Sequence, residues 1–488
     1  MSASELEEQA TLEAIDDLQR RRFLQSQDGS FAVDHDLMRR VVYDDLPLTR
    51  RLELHRRVAL AIEASRPEEV EVLAHHFAVA RLPDKAVTYL EAAARHAMTV
   101  HAYDTAAQHL STASLMLDEI GAAAQRKYTA AAQHEEVLDV LGRREDQGQA
   151  LRRMERYADE RSRGDVLRRK AWWLAHQDRV QEAEETAQSA LELAKASTDS
   201  GRVIEALTAL GMIACFAGRA AEGVLFLEQA ADFRHADASQ VAHARNALGQ
   251  NLIDLQRFDE AKSHLLAALA LYKEAEDARG QAEVLGTLAT MRMERGEPDS
   301  AESDFEQAIA ISERVGYRHG EAVYRMNLGI LYVITNRIGA AIEAFSQAEQ
   351  AYSAMGNGRG RALVLSNAAW LWHGLIGDDE IASQQIREAL SIYEAVGDER
   401  GIAQCHALMG SVLGRQGDMA GARGMYENAL ERTQRLQDFW LTAQCLREFA
   451  STELENNEVE SGVAHALEAE RLCSKYGMND LLIGVRAL

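Results

Sequence analysis

The chain has 488 residues, with 53 basic and 77 acidic side chains for a formal net charge of −24. Only 4 residues are proline and 6% are aromatic, too few turn formers and β-branched or aromatic runs for sheet-rich domains, so helix is favoured almost throughout. The charge repels phosphate backbones and argues against nucleic-acid binding by the surface at large, while 47% hydrophobic residues exclude global disorder.

In chain order, residues 1–64 stand apart. The opening MSASELEEQATLEAIDD is acidic and lacks an apolar signal core. TLEAIDDLQRRRFLQ reads as a helix, and FLQSQDGSFAVDHD as a short hairpin turning at Asp28-Gly29. LMRRVVYDDL and TRRLELHRRVALAIEA read as two further helices. This stretch carries the one basic concentration, Arg20, Arg21, Arg22, Arg39 and Arg40 with Arg50-Arg51. Such a cluster suits intramolecular docking, DNA contact or a solvated face.

Residues 65–200 predict degenerate helical hairpins. In one of them Leu73-Ala74 precedes Ala86 by thirteen residues. From 201 to 488 the pattern is regular. Leu210-Gly211, Leu248-Gly249, Leu288-Ala289, Leu328-Gly329, Ala368-Ala369, Met409-Gly410 and Phe449-Ala450 recur at spacings of 38, 40, 40, 40, 41 and 40. A second small residue follows thirteen later, at Gly223, Ala261, Ala301, Ala341, Ala422 and Gly462, but fourteen later at Ala382. Two helices cross closely only where one side is small, so each unit of about 40 residues is a helix–turn–helix. Gly280, Gly320, Gly360 and Gly401 keep the same beat and are expected to stop helices in the left-handed conformation.

The Leu-Gly, Ala and Tyr positions resemble the tetratricopeptide repeat, which implies an all-α, right-handed solenoid of ten or eleven hairpins. Stacked hairpins expose their first helices on a concave face. Counting from the small pair, the residues expected there include His243, Asn246, Gln250, Met326, Asn327, Ile330, Asn367, Trp370 and His373. They mix an apolar floor with amides suited to a peptide main chain.

Around residues 20–120 a more specific string appears: Phe31, His35-Asp36, Arg39-Arg40-Val41-Val42-Tyr43, Arg50-Arg51, Leu54-His55, Val58-Ala59, Leu73-Ala74-His75-His76-Phe77 and Lys85-Ala86. It resembles the junction between a winged helix and helical repeats in signal-transduction ATPases with numerous domains, among them large LuxR-type, SARP-type and cyclase-linked regulators. The resemblance implies a partial winged-helix remnant in residues 1–64 and a sensor arm in the cytoplasm that docks on an ATPase module. No GxxxxGK[ST] phosphate loop and no C-terminal helix-turn-helix occur, so the chain is expected to be the C-terminal part of such a regulator or a stand-alone descendant of one. A peptide-pheromone receptor with a ring-like groove, or a passive assembly scaffold, are the other readings.

Chemistry finds little support. His75-His76 point about 100° apart on a helix, as one packed and one exposed residue do. His134-Glu135-Glu136 lacks the second histidine of a zinc motif. Cys405 and Cys445 lack further ligands and read as buried small hydrophobes. The expected protein is a non-enzyme without cofactor or metal. Its partner is a protein, a peptide or a small effector, and no apolar run spans a membrane.

Overall fold

The computed structural model describes residues 8–20, 23–27, 30–33, 36–100, 102–177, 179–197, 199–233, 237–436, 438–476 and 479–486. It divides into two compact units, residues 1–137 with 156–158, and residues 138–155 with 159–488. The division falls inside the stretch expected to hold degenerate repeats.

The first unit opens with α1 (Glu8–Arg20), β1 (Leu24–Gln27), β2 (Ser30–Val33), α2 (Asp36–Asp45) and α3 (Leu48–Ser65). β1 and β2 pair antiparallel from Leu24 opposite Val33 to Gln27 opposite Ser30. The expected turn Asp28-Gly29 lies outside the described residues. Then follow α4 (Val70–Val79), α5 (Pro83–Thr99), α6 (Tyr103–Glu119) and α7 (Ala124–Leu141), the last entering the second unit. Pro83 starts α5 at a position whose N–H needs no partner. Ala59, Leu73, Phe77 and Ala86 form a core that Tyr89 flanks, its ring stacked on Phe77 at 5.4 Å.

The second unit begins with α8 (Arg144–Tyr157), α9 (Arg163–Ala175) and α10 (Val180–Ala196). Trp173 ties α8 to α9: its indole N–H donates to the Arg144 carbonyl at 2.8 Å. Gly148 leaves room for the ring, since a Cβ there would lie 2.7 Å from it. Seven hairpins follow in the described residues, each pairing an odd with an even helix. They are α11 (Ser200–Phe216) with α12 (Ala220–Ala231), α13 (Ala238–Asp254) with α14 (Phe258–Glu274), α15 (Ala278–Glu294) with α16 (Pro298–Val315), and α17 (Arg318–Ile334) with α18 (Ile338–Ala354). Then come α19 (Gly358–Leu371) with α20 (Asp379–Val396), α21 (Glu399–Arg415) with α22 (Met419–Arg435), and α23 (Phe439–Glu455) with α24 (Val459–Tyr476). A short α25 (Asn479–Arg486) packs on α23 and α24.

The small pairs sit at the crossings, as their spacing predicts. A Cβ on Gly249 would lie 2.5 Å from Leu265, on Gly329 2.7 Å from Phe345, and on Gly410 2.8 Å from Tyr426. Each second helix therefore presses a large side chain onto the backbone of the first. The hairpin with the odd spacing has a physical cause. α19 ends in a π-helical turn, Trp372–Ile376, whose wider loop absorbs one extra residue before Gly377 closes it at φ +81°.

The glycines on the 40-residue beat correct one expectation. Gly280, Gly360 and Gly401 do not stop helices. They lie in the first turns of α15, α19 and α21, against the rings of Tyr272, Tyr352 and Tyr393; at Gly401 a Cβ would approach Tyr393 to 2.5 Å. Gly320 is packed in the same way by Tyr317. The left-handed stops are other residues, Gly218, Gly296, Gly316, Gly356, Gly397 and Gly417, with Gln256, Glu276 and Asn336 taking the same conformation.

Candidate recognition surface

In the second unit, successive first helices pack side by side: α9 on α11, α11 on α13, and so on to α23. Among the described residues no comparable packing joins successive second helices. The stack thus curves with its first helices inside, and their side chains form the inner face.

The odd helices begin with a recurring cap. Asp199, Asp237, Asp277, Asp398 and Asp438 each accept from backbone N–H groups of the following turn. At α17 the position is Tyr317, which makes no such side-chain bond. At α19 it is Asn357, whose Oδ1 accepts from Gly360 N at 2.8 Å. The later caps also bridge repeats: Arg359 Nε reaches Asp398 at 2.6 Å, and Arg400 Nε reaches Asp438 at 2.9 Å.

Between α9 and α17 the inner face carries a ladder of mixed charge. Arg168 Nε lies 3.5 Å from Glu205, to which Gln240 Nε2 donates at 3.0 Å. Arg279 Nε pairs with Glu283 at 3.1 Å, and its guanidinium lies over the Tyr317 ring at 4.5 Å. His243, between these groups, is exposed at its own surface but walled in on several sides. That crowding pushes its pKa down, and the charges of Glu283 and Glu205 only partly oppose the effect. Burial raises the Tyr317 hydroxyl to about 12.

The expected groove residues divide by environment. Gln250 is exposed and its Nε2 lies 3.4 Å from Thr287 Oγ1. Asn327, Ile330 and Asn367 are half-buried, and Trp370 is 50% exposed. Met326 and Asn246 are buried between helices, with Asn246 Oδ1 lacking a hydrogen-bond partner. His373 is buried too. Its Nδ1 bonds Asp379 at 2.7 Å and its Nε2 bonds Ser411 at 2.9 Å, while Arg415 clasps Asp379 and donates to the His373 carbonyl. The π-helical turn carries His373 into this tie between repeats, off the open inner face.

The spacing argument missed Arg279, Tyr317 and Asn357, which lie in linkers or first turns outside the counted positions. The signal was present in the caps: five are aspartate and two consecutive ones are not.

The inner face also closes on itself. Asn357 Nδ2 donates to the Val140 carbonyl at 3.0 Å, across 217 residues of chain. Beside it, a Cβ on Gly142 would lie 3.6 Å from Arg359 Cβ. His176, at the end of α9, is held neutral to about pH 4 by burial first and by the charge of Arg144 next.

In the first unit, Arg20 and Arg40 are exposed. Arg21 and Arg22 lie outside the described residues, as does the side chain of Arg39. His76 Nδ1 meets His55 Nδ1 at 2.9 Å, and Tyr43 OH meets His55 Nε2 at 3.0 Å, leaving His75 exposed. Burial pushes His76 down to about 4. Among the described residues no cluster of histidine, cysteine or carboxylates is arranged to hold a metal. Cys405 and Cys445 are buried in two of the repeat cores, and among the described residues no helix is long and apolar enough to cross a membrane.

The tetratricopeptide repeat family matches residues 240–313 and 280–354, the part covering α13 to α18. No curated protein matches the sequence. Among solved structures, a Rap protein in complex with Competence and Sporulation Factor is similar at TM-score 0.50 and 15% identity, over 72% of this chain and 98% of that one. Yeast Tom70 is similar at TM-score 0.45 and 12% identity, over 88% and 96%. A signal-transduction ATPase with numerous domains and a tetratricopeptide repeat sensor, from Pyrococcus horikoshii, is similar at TM-score 0.48 and 12% identity, over 74% of this chain and 55% of that protein. At such identity the likeness to the Rap protein shows the fold alone: an α-helical stack of tetratricopeptide type.

Proposed function

We propose that the second unit is a non-enzymatic recognition arm that takes an extended peptide, or a peptide-like segment of a protein, along its inner face. The observation that carries this reading is the set of inner-face groups not consumed by packing. His243 and Gln250 stand exposed, Asn327, Ile330 and Asn367 half-exposed, and Trp370 uncovered over half its surface. Together they offer main-chain hydrogen-bonding partners beside an apolar anchor.

The arm belongs, on this reading, to a signalling or transcriptional regulator. Residues 1–64 then form the partial winged helix, with the β1–β2 pair as its wing, and the basic patch around Arg20 and Arg40 docks on an ATPase module. A second reading, the peptide receptor that acts by itself, is favoured by the bond from Asn357 to Val140, because a groove that closes on itself needs no partner domain to enclose a ligand. The Rap structure bound to its factor is consistent with that alternative.

Selection from a random dodecapeptide library on the purified chain tests the proposal. Binders are expected to lose affinity about tenfold with Trp370→Ala and with Gln250→Ala, the size of one lost hot-spot contact. Binders indifferent to both substitutions overturn the groove reading. Measurable ATP hydrolysis by the purified chain overturns the non-enzymatic one.

A further inference from the structure

Asn357 differs from its counterparts in a way that local capping does not require. Aspartate holds the equivalent position at Asp199, Asp237, Asp277, Asp398 and Asp438 and caps as well as asparagine does. Asparagine adds what aspartate lacks, an N–H donor. The assignment of its amide is fixed by the cap: the Gly360 N–H must face the oxygen, so the amino group must face Val140 O. Val140 lies in the last turn of α7, where carbonyls have no partner within the helix. An orphan carbonyl at one helix end thus meets, among these capping side chains, the one able to donate to it. The two helix ends also attract, the negative end of α7 against the positive start of α19. Gly142, at φ +68°, brings the chain against Arg359.

We propose that the turn after α7 is a latch that gates the inner face, and that a ligand enters by displacing it. This rests on the groove reading above and names its regulation. The latch has the right size for a gate. A hydrogen bond and a van der Waals contact join the turn to α19 across 217 residues, with the charges of Asp139 and Arg359 beside them near His319 and His176, ties of a kind that a ligand can replace with its own. A ligand that fits only the open groove shifts their ratio by its difference in affinity for the two forms.

The Cβ separation of 3.6 Å at positions 142 and 359 suits a disulfide. Gly142→Cys with Arg359→Cys, oxidised, is expected to staple the latch shut, and reduction of the same protein to free it. The native thiols interfere little: Cys405, Cys445 and Cys473 are buried and Cys215 is bonded to Asp254. The probe is a fluorescein-labelled dodecapeptide recovered from the library on the unmodified chain. Its association rate is expected to fall about tenfold on oxidation. Asn357→Asp keeps the cap and removes the donor, and is expected to raise the association rate several-fold.

Gly142 has φ +68°, so Gly142→Cys alone serves as the control for strain. Failure of the disulfide to form in a double variant that folds as well as this control overturns the latch, as does an oxidised variant that binds as fast as the reduced one. If no peptide binds any form, the groove reading fails instead, while the cross-linking yield still decides whether the latch exists.

Discussion

The cap positions of α21 and α23 and those of α17 and α19 differ in chemistry and in what they reach. At α21 and α23, Asp398 and Asp438 cap their helices and also take the arginine of the preceding repeat, Arg359 at 2.6 Å and Arg400 at 2.9 Å. Their polar groups face the preceding repeat in the stack. At α17 the corresponding rung is a cation over a ring, Arg279 on Tyr317, and at α19 Asn357 turns its donor across the inner face to Val140. Where the sequence keeps its beat, polar side chains join neighbours in the stack. Where it breaks the beat at Asn357, the donor is released for a contact that the stack does not dictate.

The sharpest way to break the regular side is through its core. Tyr426, Phe449 and His465 stack in series, with centroids 4.6 and 4.3 Å apart, and the first two are fully buried. Phe449→Ala is expected to cost about 3–5 kcal/mol, the usual loss for a buried aromatic. Chemical denaturation reads the loss, and hydrogen exchange is expected to show it spreading from α21 to α24 first, because each repeat packs only on its neighbours.

The irregular side breaks with acid. His176 sits at the end of α9, near Arg144, Asp139 and Arg359, and its folded pKa is about 4 against an ordinary 6.5. The unfolded chain takes up a proton as pH falls through 6.5, whereas the folded protein does not until about 4. Its contribution to stability is therefore whole above 6.5, declines through that window and is lost below 4, in total on the order of 3 kcal/mol. Neutral His176→Gln is expected to flatten this part of the stability–pH curve while leaving the pH 8 value nearly unchanged. Equal slopes for both proteins between pH 6.5 and 4 would show that His176 is not the group responsible.

How much of this was legible from the sequence follows from the same contrast. The crossings were legible because close packing leaves only Gly or Ala, as at Gly249 and Gly410. The extra residue before Ala382 marked an irregularity, although its form, a π-helical turn that redirects His373, needed the structure. The beat of Gly280 and Gly401 was visible but its cause was not, since a glycine spared for a tyrosine ring and a glycine at positive φ look alike in a string of letters. Asn357 was the least legible: its partner lies 217 residues away, and no local rule brings Val140 to it.

Substitution at the caps sharpens the comparison at smaller scale. Asp398→Ala removes the bond to Gly401 N and strands Arg359. The expected loss is about 1–2 kcal/mol, most of it from the cap, because Arg359 is partly exposed and a solvated ion pair adds little. Asp398→Asn keeps the cap and is expected to cost well under 1 kcal/mol. The same exchange in reverse, Asn357→Asp, leaves the α19 cap in place and changes what lies across the groove. Thermal unfolding of the three variants checks the ranking.

The smallest effect on stability is the most telling for function. Trp370 is 50% exposed, and its neighbour Gly374 carries no side chain that would cover the indole. A tryptophan that contributes mainly to the fold costs several kcal/mol on truncation. One that waits for a ligand costs little until the ligand is present. Trp370→Ala is expected to shift stability by no more than about 0.5 kcal/mol while weakening a library-selected peptide about tenfold. The reverse pattern, a large loss of stability with binding intact, would place Trp370 with Phe449 among the residues that hold the stack together, and would leave the inner face without its anchor.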